Sequence, residues 1–193
     1  MDRQAKLDMF MNKKRTDETA TNQIDVQGLY NLPKGWKWAE LNSIVESFKN
    51  GIYKPLTFYG RGYPCIRMYN IKDGKIVLEN VKYLEVTQKE LNEYELKPGD
   101  IIVNRVNAPE LVGKAALVPA GIGPCTFESK NIRIRVKKDI IDPAFLVHFL
   151  NSWHGRIQIS YKLKKAVQQA TINQSDLGSI TIPVPPLDEQ KRI

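Results

Sequence analysis

Alternation of apolar and polar residues marks the middle of the chain as sheet. In "PCIRMYNI", Ile66 and Met68 fall on one face and Arg67 and Tyr69 on the other. Asp73-Gly74 follows as a two-residue hairpin signal, and "KIVLEN" supplies the returning strand. "KPGD" predicts a turn, and "IIVNRV" a strand led by a buried β-branched run. "AALVP" reads as a further strand. In "NIRIRV", Ile132, Ile134 and Val136 point one way, while Arg133 and Arg135 point the other, onto a face that is either a binding surface or solvated sheet.

Helical spacing flanks this region. "LPKGWKW" opens the ordered part with a turn at Pro33 and Gly35. "ELNSIVESF" then sets Leu41, Ile44, Val45 and Phe48 at helical intervals, closed by Asn50-Gly51. The clearest helix is capped by Asp142, with Pro143 at its first position. Its apolar stripe is Phe145, Leu146, Phe149, Leu150 and Trp153, a spacing that assigns these aromatics to packing. "NQSDLGS" predicts one short turn capped by Asn173 and closed by Gly178. The ending "SITIPVPPLDEQKRI" combines a strand, two prolines and the first turn of a helix. Pro186 takes that helix's first position, and Asp188 and Glu189 suit the positive end of its dipole. Strands first and helices late predict an α+β fold, a mixed or antiparallel sheet with packed helices.

A chain of 193 residues is long enough for one domain with a real core. We divide it into a polar tail or short helix over 1–27, a domain over 28–187, and a helical first turn over 188–193. No apolar run reaches the ~20 residues needed to cross a bilayer, and the N-terminus lacks the apolar core of a secretory signal. Cytoplasmic residence is expected. Cys65 and Cys125 are far apart and read as two buried thiols, and no metal site or cofactor is expected.

Charge changes the picture. Twenty-nine Lys and Arg against 21 Asp and Glu give a net charge of +8, an excess that favours a polyanionic partner. From Lys130 to Lys165 the cations are opposed only by Asp139 and Asp142. A second group, Lys49, Lys54, Arg61 and Arg67, lies among Tyr53, Phe58, Tyr59, Tyr63 and Tyr69. Cations interleaved with aromatics and amides suit nucleic acid, although a solvated basic face has the same composition.

Catalytic signatures are sparse. The chain has no phosphate loop, dinucleotide fingerprint or Gly-x-Ser-x-Gly elbow. One enzymatic alternative is a Mg-dependent nuclease using Asp100, Glu128 and Lys130, two carboxylates holding the metal against the attacked phosphate. Against it, Asp100 sits where a turn residue is expected, and Glu-x-Lys triplets are common by chance.

"IPVPPLDEQKRI" resembles the end of a target recognition domain in the specificity subunit of type I restriction–modification systems. "LPKGWKWAELNSI", "YPCIRMYNIKDGKI", "KPGDIIVNRVN", "SKNIRIRV", "FLVHFLNS" and "QQATINQSDLGSITIPVPP" resemble further pieces of that family in order, from Leu32 to Ile193. The resemblance implies a target-recognition-domain-like fold that ends at the start of a spacer helix. It implies a non-catalytic module that reads one half of a bipartite site in double-stranded DNA. Methylation (M) and restriction (R) subunits supply the chemistry. Family subunits usually carry two such domains held apart by two spacer helices, so this chain resembles a single-domain fragment or a truncated subunit. A second recognition domain, or a second copy of the chain, would complete the pair.

On that reading Lys49, Lys54, Lys130, Lys162, Lys164 and Lys165 contact phosphates. Arg61, Arg67, Asn70, Arg105, Asn107, Gln168 and Gln169 carry the bidentate heads suited to guanine and adenine edges. Arg105 and Asn107 rank first, since both follow a buried strand. The remaining alternative is an RNA-binding or protein-interaction module built on the same basic face.

Overall fold

The apolar run at residues 101–104 becomes the middle of the main sheet in the computed structural model, which describes residues 31–166 and 169–193. The tail or short helix expected over 1–27 and Gln168 lie outside the described residues. The first elements are β1 (Lys37–Glu40), β2 (Val45–Asn50), β3 (Tyr59–Ile66), β4 (Ile71–Lys72), β5 (Gly74–Ile76) and β6 (Lys82–Leu84). Helix α1 (Gln88–Tyr94) precedes β7 (Ile101–Asn104), β8 (Val106–Asn107), β9 (Ala115–Leu117), β10 (Thr126–Phe127) and β11 (Asn131–Val136). Then come α2 (Pro143–Asn151), α3 (Trp153–Lys162), β12 (Lys164–Lys165) and β13 (Ala170–Thr171). The last are α4 (Gln174–Gly178), β14 (Thr181–Val184) and α5 (Leu187–Gln190).

Six strands form the main sheet in the order β2-β11-β7-β9-β5-β4, antiparallel except where β5 meets β9. Two three-stranded sheets, β10-β3-β6 and β12-β13-β8, and the pair β1-β14 complete the α+β architecture. Both faces of β7 are covered. Ile101 and Val103 pack with Ile132 and Ile134 against Phe145, Leu146 and Leu150 of α2. Ile102 faces the other side with Ile66, Ile71, Cys125 and Phe127. Two buried faces explain why the sequence there is continuously apolar. Cys65 and Cys125 are free and buried, and burial pushes each thiol up to about 12.

Local signals hold where local chemistry decides. Ile71 pairs with Ile76 and Lys72 with Lys75, so Asp73-Gly74 is a two-residue loop, with φ of 47° and 76°. These positive angles fit a type I′ turn. Asp142 caps α2 by accepting from the Ala144 and Phe145 N–H groups, and Asn173 caps α4 through Asp176.

Five expectations need correction. "PCIRMYNI" is not one alternating strand: β3 ends at Ile66, and Met68–Asn70 is a 3-10 turn closed by Asn70 Oδ1 accepting from the Arg67 N–H. Residues 41–48 do not form one helix. Leu41–Ser43 is a single 3-10 turn, and β2 follows it, because its backbone pairs along β11 from Val45↔Val136 to Asn50↔Ile132. Leu41, Ile44 and Val45 are still buried, so apolar spacing alone did not separate helix from turn plus strand. The stripe through Trp153 also breaks: Ser152 ends α2 and caps α3, leaving Trp153 exposed at the start of the second helix. Arg133 is buried rather than solvated, stacked over Phe127 at 5.6 Å. Pro186 is the cap of α5 with extended backbone, and Leu187 takes the first helical position.

The segment after the prolines docks through Gln190, which is buried beside α2. Its Oε1 accepts from the Asp142 N–H at 2.7 Å, and its Nε2 donates to the carbonyls of Ile140 at 3.0 Å and Pro185 at 2.7 Å. Gln190→Ala leaves three backbone groups without their partner, that of Pro185 in the interior. The expected cost is about 2 kcal/mol, read as a lower urea midpoint with an unchanged slope.

Candidate nucleic-acid interface

The short stretch from Thr126 to Lys130 is where the loops of the molecule meet. Thr126 and Phe127 pair in parallel with Cys65 and Ile66, and the Glu128 N–H continues to the Ile66 carbonyl at 3.0 Å. On the other side the Ile52 N–H donates to Phe127 O at 2.9 Å and the Ser129 N–H to Ile52 O at 2.9 Å. Gly51 makes this approach possible: a Cβ there would lie 2.2 Å from the Glu128 carbonyl oxygen.

From the same stretch a basic ribbon grows. The Arg105 N–H donates to Lys130 O at 2.8 Å, and the Arg105 carbonyl accepts from Ile172 N–H at 3.0 Å. Beyond Arg105, β8 pairs with β13 and β13 with β12, setting Asn107 opposite Ala170 and Lys165 opposite Ala170 from the other side. Lys164 and Lys165 are exposed, as is Gln169, whose carbonyl accepts from the Ala166 N–H at 2.7 Å. Lys162 ends α3 just before β12. Lys130, Lys162, Lys164 and Lys165 form no ion pair among the described residues. Arg105 is half-buried, and its Nη1 donates to Ser129 O at 3.3 Å.

The aromatic-rich group is built differently, because each of its cations has a carboxylate. Lys49 pairs with Glu93 at 2.8 Å and lies over Tyr94. Lys54 pairs with Glu90 at 2.6 Å and lies over Phe58. Their hydrogen bonds hold Glu90 and Glu93 below the ordinary carboxylate range. Arg61 pairs with Glu85 at 2.7 Å. It projects from a bulge in which Tyr59 and Tyr63 both sit opposite Leu84, so that Gly60, Arg61 and Gly62 have no partners on β6. Arg67 pairs with Glu128 at 3.0 Å and stacks on Tyr69.

Two of the amides are engaged inside the fold. Asn70 Oδ1 accepts from the Arg67 N–H at 3.0 Å, and its Nδ2 donates to Val77 O at 2.8 Å. Asn107 Nδ2 donates to Asn104 Oδ1 at 2.9 Å, and its Oδ1 accepts from the Ala108 N–H at 2.9 Å. Bracing is the role this geometry supports for both. Sequence reasoning passed over the residues beneath them. Asn104 and Asn131 face each other across β7 and β11. Asn104 Nδ2 reaches Lys130 O at 3.0 Å, and Asn131 Nδ2 reaches Ile66 O at 3.1 Å. Their signal was present: an amide inside an otherwise apolar strand must have internal partners.

Nuclease chemistry finds no support here. Asp100 is gripped by Arg135 and Glu128 by Arg67, each carboxylate also accepting from a backbone N–H. Among the described residues no three His, Cys, Asp or Glu side chains gather where they would hold a metal ion, and no helix is long and apolar enough to cross a membrane.

The family model of the type I restriction modification DNA specificity domain matches residues 33–193. The MjaX type I restriction enzyme specificity subunit of Methanocaldococcus jannaschii is 32% identical over 163 residues, which are 84% of this chain and 38% of that one. The StySPI specificity subunit of Salmonella potsdam is 29% identical over 160 residues, 82% of this chain and 35% of its own length. The chain thus spans little more than a third of these relatives. In fold it is similar to the HsdS subunit from Thermoanaerobacter tengcongensis, with a TM-score of 0.58 at 23% identity, over 84% of this chain and 36% of that one. The chain belongs to the type I restriction modification DNA specificity domain family.

Proposed function

We propose that this chain recognises double-stranded DNA by sequence as part of a type I specificity subunit. It reads one half of a bipartite site and directs methyltransferase and restriction subunits that carry out the chemistry, in the cytoplasm. A second recognition domain, or a second copy, reads the other half. The observation that carries this reading is the convergence on Arg105 of β8, the β12–β13 hairpin and Lys130, within a family defined by DNA specificity. Lys164 and Lys165 are exposed on its edge strand, with Lys162 just before it and Lys130 at its root, and none of the four is in an ion pair with the described residues, which leaves them available for phosphate. Exposed Gln169 and protruding Arg61 stand beside phosphate contacts as candidate base readers, and Lys49 and Lys54 as further phosphate contacts once their glutamates are displaced.

Selection of bound duplexes from a random pool tests the proposal. A consensus should emerge, and changing one of its contacted base pairs should cost ~1–3 kcal/mol. Affinity should fall with salt at a log–log slope of about −0.9 per neutralised phosphate. Preference for single-stranded RNA over every duplex would overturn it.

A further inference from the structure

Arg67 is held at three points. Its N–H donates to Asn70 Oδ1 at 3.0 Å, its Nε donates to Glu128 Oε2 at 3.0 Å, and its guanidinium lies 5.5 Å from the centre of the Tyr69 ring. Glu128 is itself fixed, since Oε1 accepts from the Met68 N–H at 3.1 Å and the residue is buried. Only Nε is engaged. Nη1 and Nη2 make no hydrogen bond with the described residues, so the end of the guanidinium presents two parallel donors. The Arg67 side chain is 29% exposed. Burial works against the Arg67 charge, but the hydrogen bond and negative charge of Glu128 outweigh it and keep the guanidinium ionised.

These features separate a reader of bases from a neutraliser of charge. A flexible, exposed cation attracts any phosphate and returns to water when none is present. A fixed, half-desolvated fork gains only from acceptors at matching positions, and it loses hydrogen bonds where they are missing. Guanine presents two acceptors, N7 and O6, on its major-groove edge, whereas adenine places an N–H₂ donor where guanine has O6. The same stretch of chain that holds Glu128 also holds Ser129 and Lys130, which bind Arg105 at the root of the basic ribbon. Arg67 and the root of the ribbon are thus anchored on one short stretch of chain, Glu128–Lys130.

We propose that Arg67 reads a guanine in the major groove, with Glu128 and Tyr69 as positioning residues; this rests on the duplex-recognition reading above. Arg67→Lys keeps the pairing with Glu128 but removes the fork, and Tyr69→Ala alters an exposed ring that the core does not need. Each purified variant is put through duplex selection beside the parent chain, with its fold checked by circular dichroism. The parent should select a site with an invariant guanine. Arg67→Lys should lose the preference at that one position by about ten- to hundredfold, while the rest of the consensus and the salt slope are kept. Tyr69→Ala should weaken the same position by a smaller factor, and it decides the matter should Arg67→Lys fail to fold. An unchanged consensus in the folded variants would overturn the inference and leave duplex recognition standing. So would a uniform loss on all sequences with the slope reduced by about one, the mark of a phosphate contact. A parent chain that selects no duplex overturns both readings.

Discussion

Replacing Asp100 by Ala should destabilise the chain by about 3–5 kcal/mol, the cost of breaking a buried ion pair from one side. Asp100 is 4% exposed beneath the sheet. Its carboxylate accepts from Arg135 Nε at 2.8 Å and Nη2 at 3.2 Å, and from the Lys97 N–H at 2.9 Å. Arg133 Nε stands 3.9 Å away. One carboxylate thus serves two guanidinium groups, one of them buried. The hydrogen bond to Asp100 raises the Arg135 pKa, whereas burial, followed by repulsion from Arg135, lowers that of Arg133. With Asp100 gone, two like charges face each other in a poorly solvated space. Urea unfolding should show a lower midpoint with little change in slope. Arg133→Met in the Asp100→Ala background should recover part of the loss by removing the buried charge that lacks a partner. Full stability in Asp100→Ala alone would show that solvent reaches both arginines and that the cluster is not a structural unit.

This cluster also shows what the sequence could and could not convey. The Asp73-Gly74 turn, the Asp142-Pro143 helix start and the Asn173 cap were legible because each rests on atoms a few residues apart. Helix α1 was equally legible and was overlooked: Thr87 and Glu90 form a reciprocal capping box, the Thr-x-x-Glu signature of a helix start. Residues 45–50 were not legible as a strand, since their apolar spacing fits a helix and β11, the partner that decides, lies far along the chain. The resemblance identified the family, while the residues within the interface followed the same rule. Lys49, Lys54 and Arg61 looked like free cations because Glu93, Glu90 and Glu85 become neighbours only through folding. Asn70 and Asn107 looked like free amides because the groups they brace are brought to them by turns.

That contrast between paired and unpaired cations carries the second large effect. Substituting Lys130, Lys164 and Lys165 together by Ala should weaken duplex binding roughly hundredfold or more at about 0.1 M salt, since each phosphate contact contributes close to one decade there through counterion release. The log–log salt slope should become shallower by about three, while the ranking of duplex sequences stays the same, because phosphate contacts set position and not sequence preference. Lys49→Ala with Lys54→Ala should do less per residue. A phosphate approaching either lysine must first displace Glu93 or Glu90, so the ion pair lost offsets much of the one gained. Stability should hardly change in the ribbon triple, whose side chains make no ion pair with the described residues. Equal effects per lysine at the two places would mean that the glutamates are not real competitors. An unchanged slope in the triple would place the phosphate backbone somewhere other than the β8–β13–β12 ribbon, and the docking of DNA would have to be rebuilt around the aromatic loops.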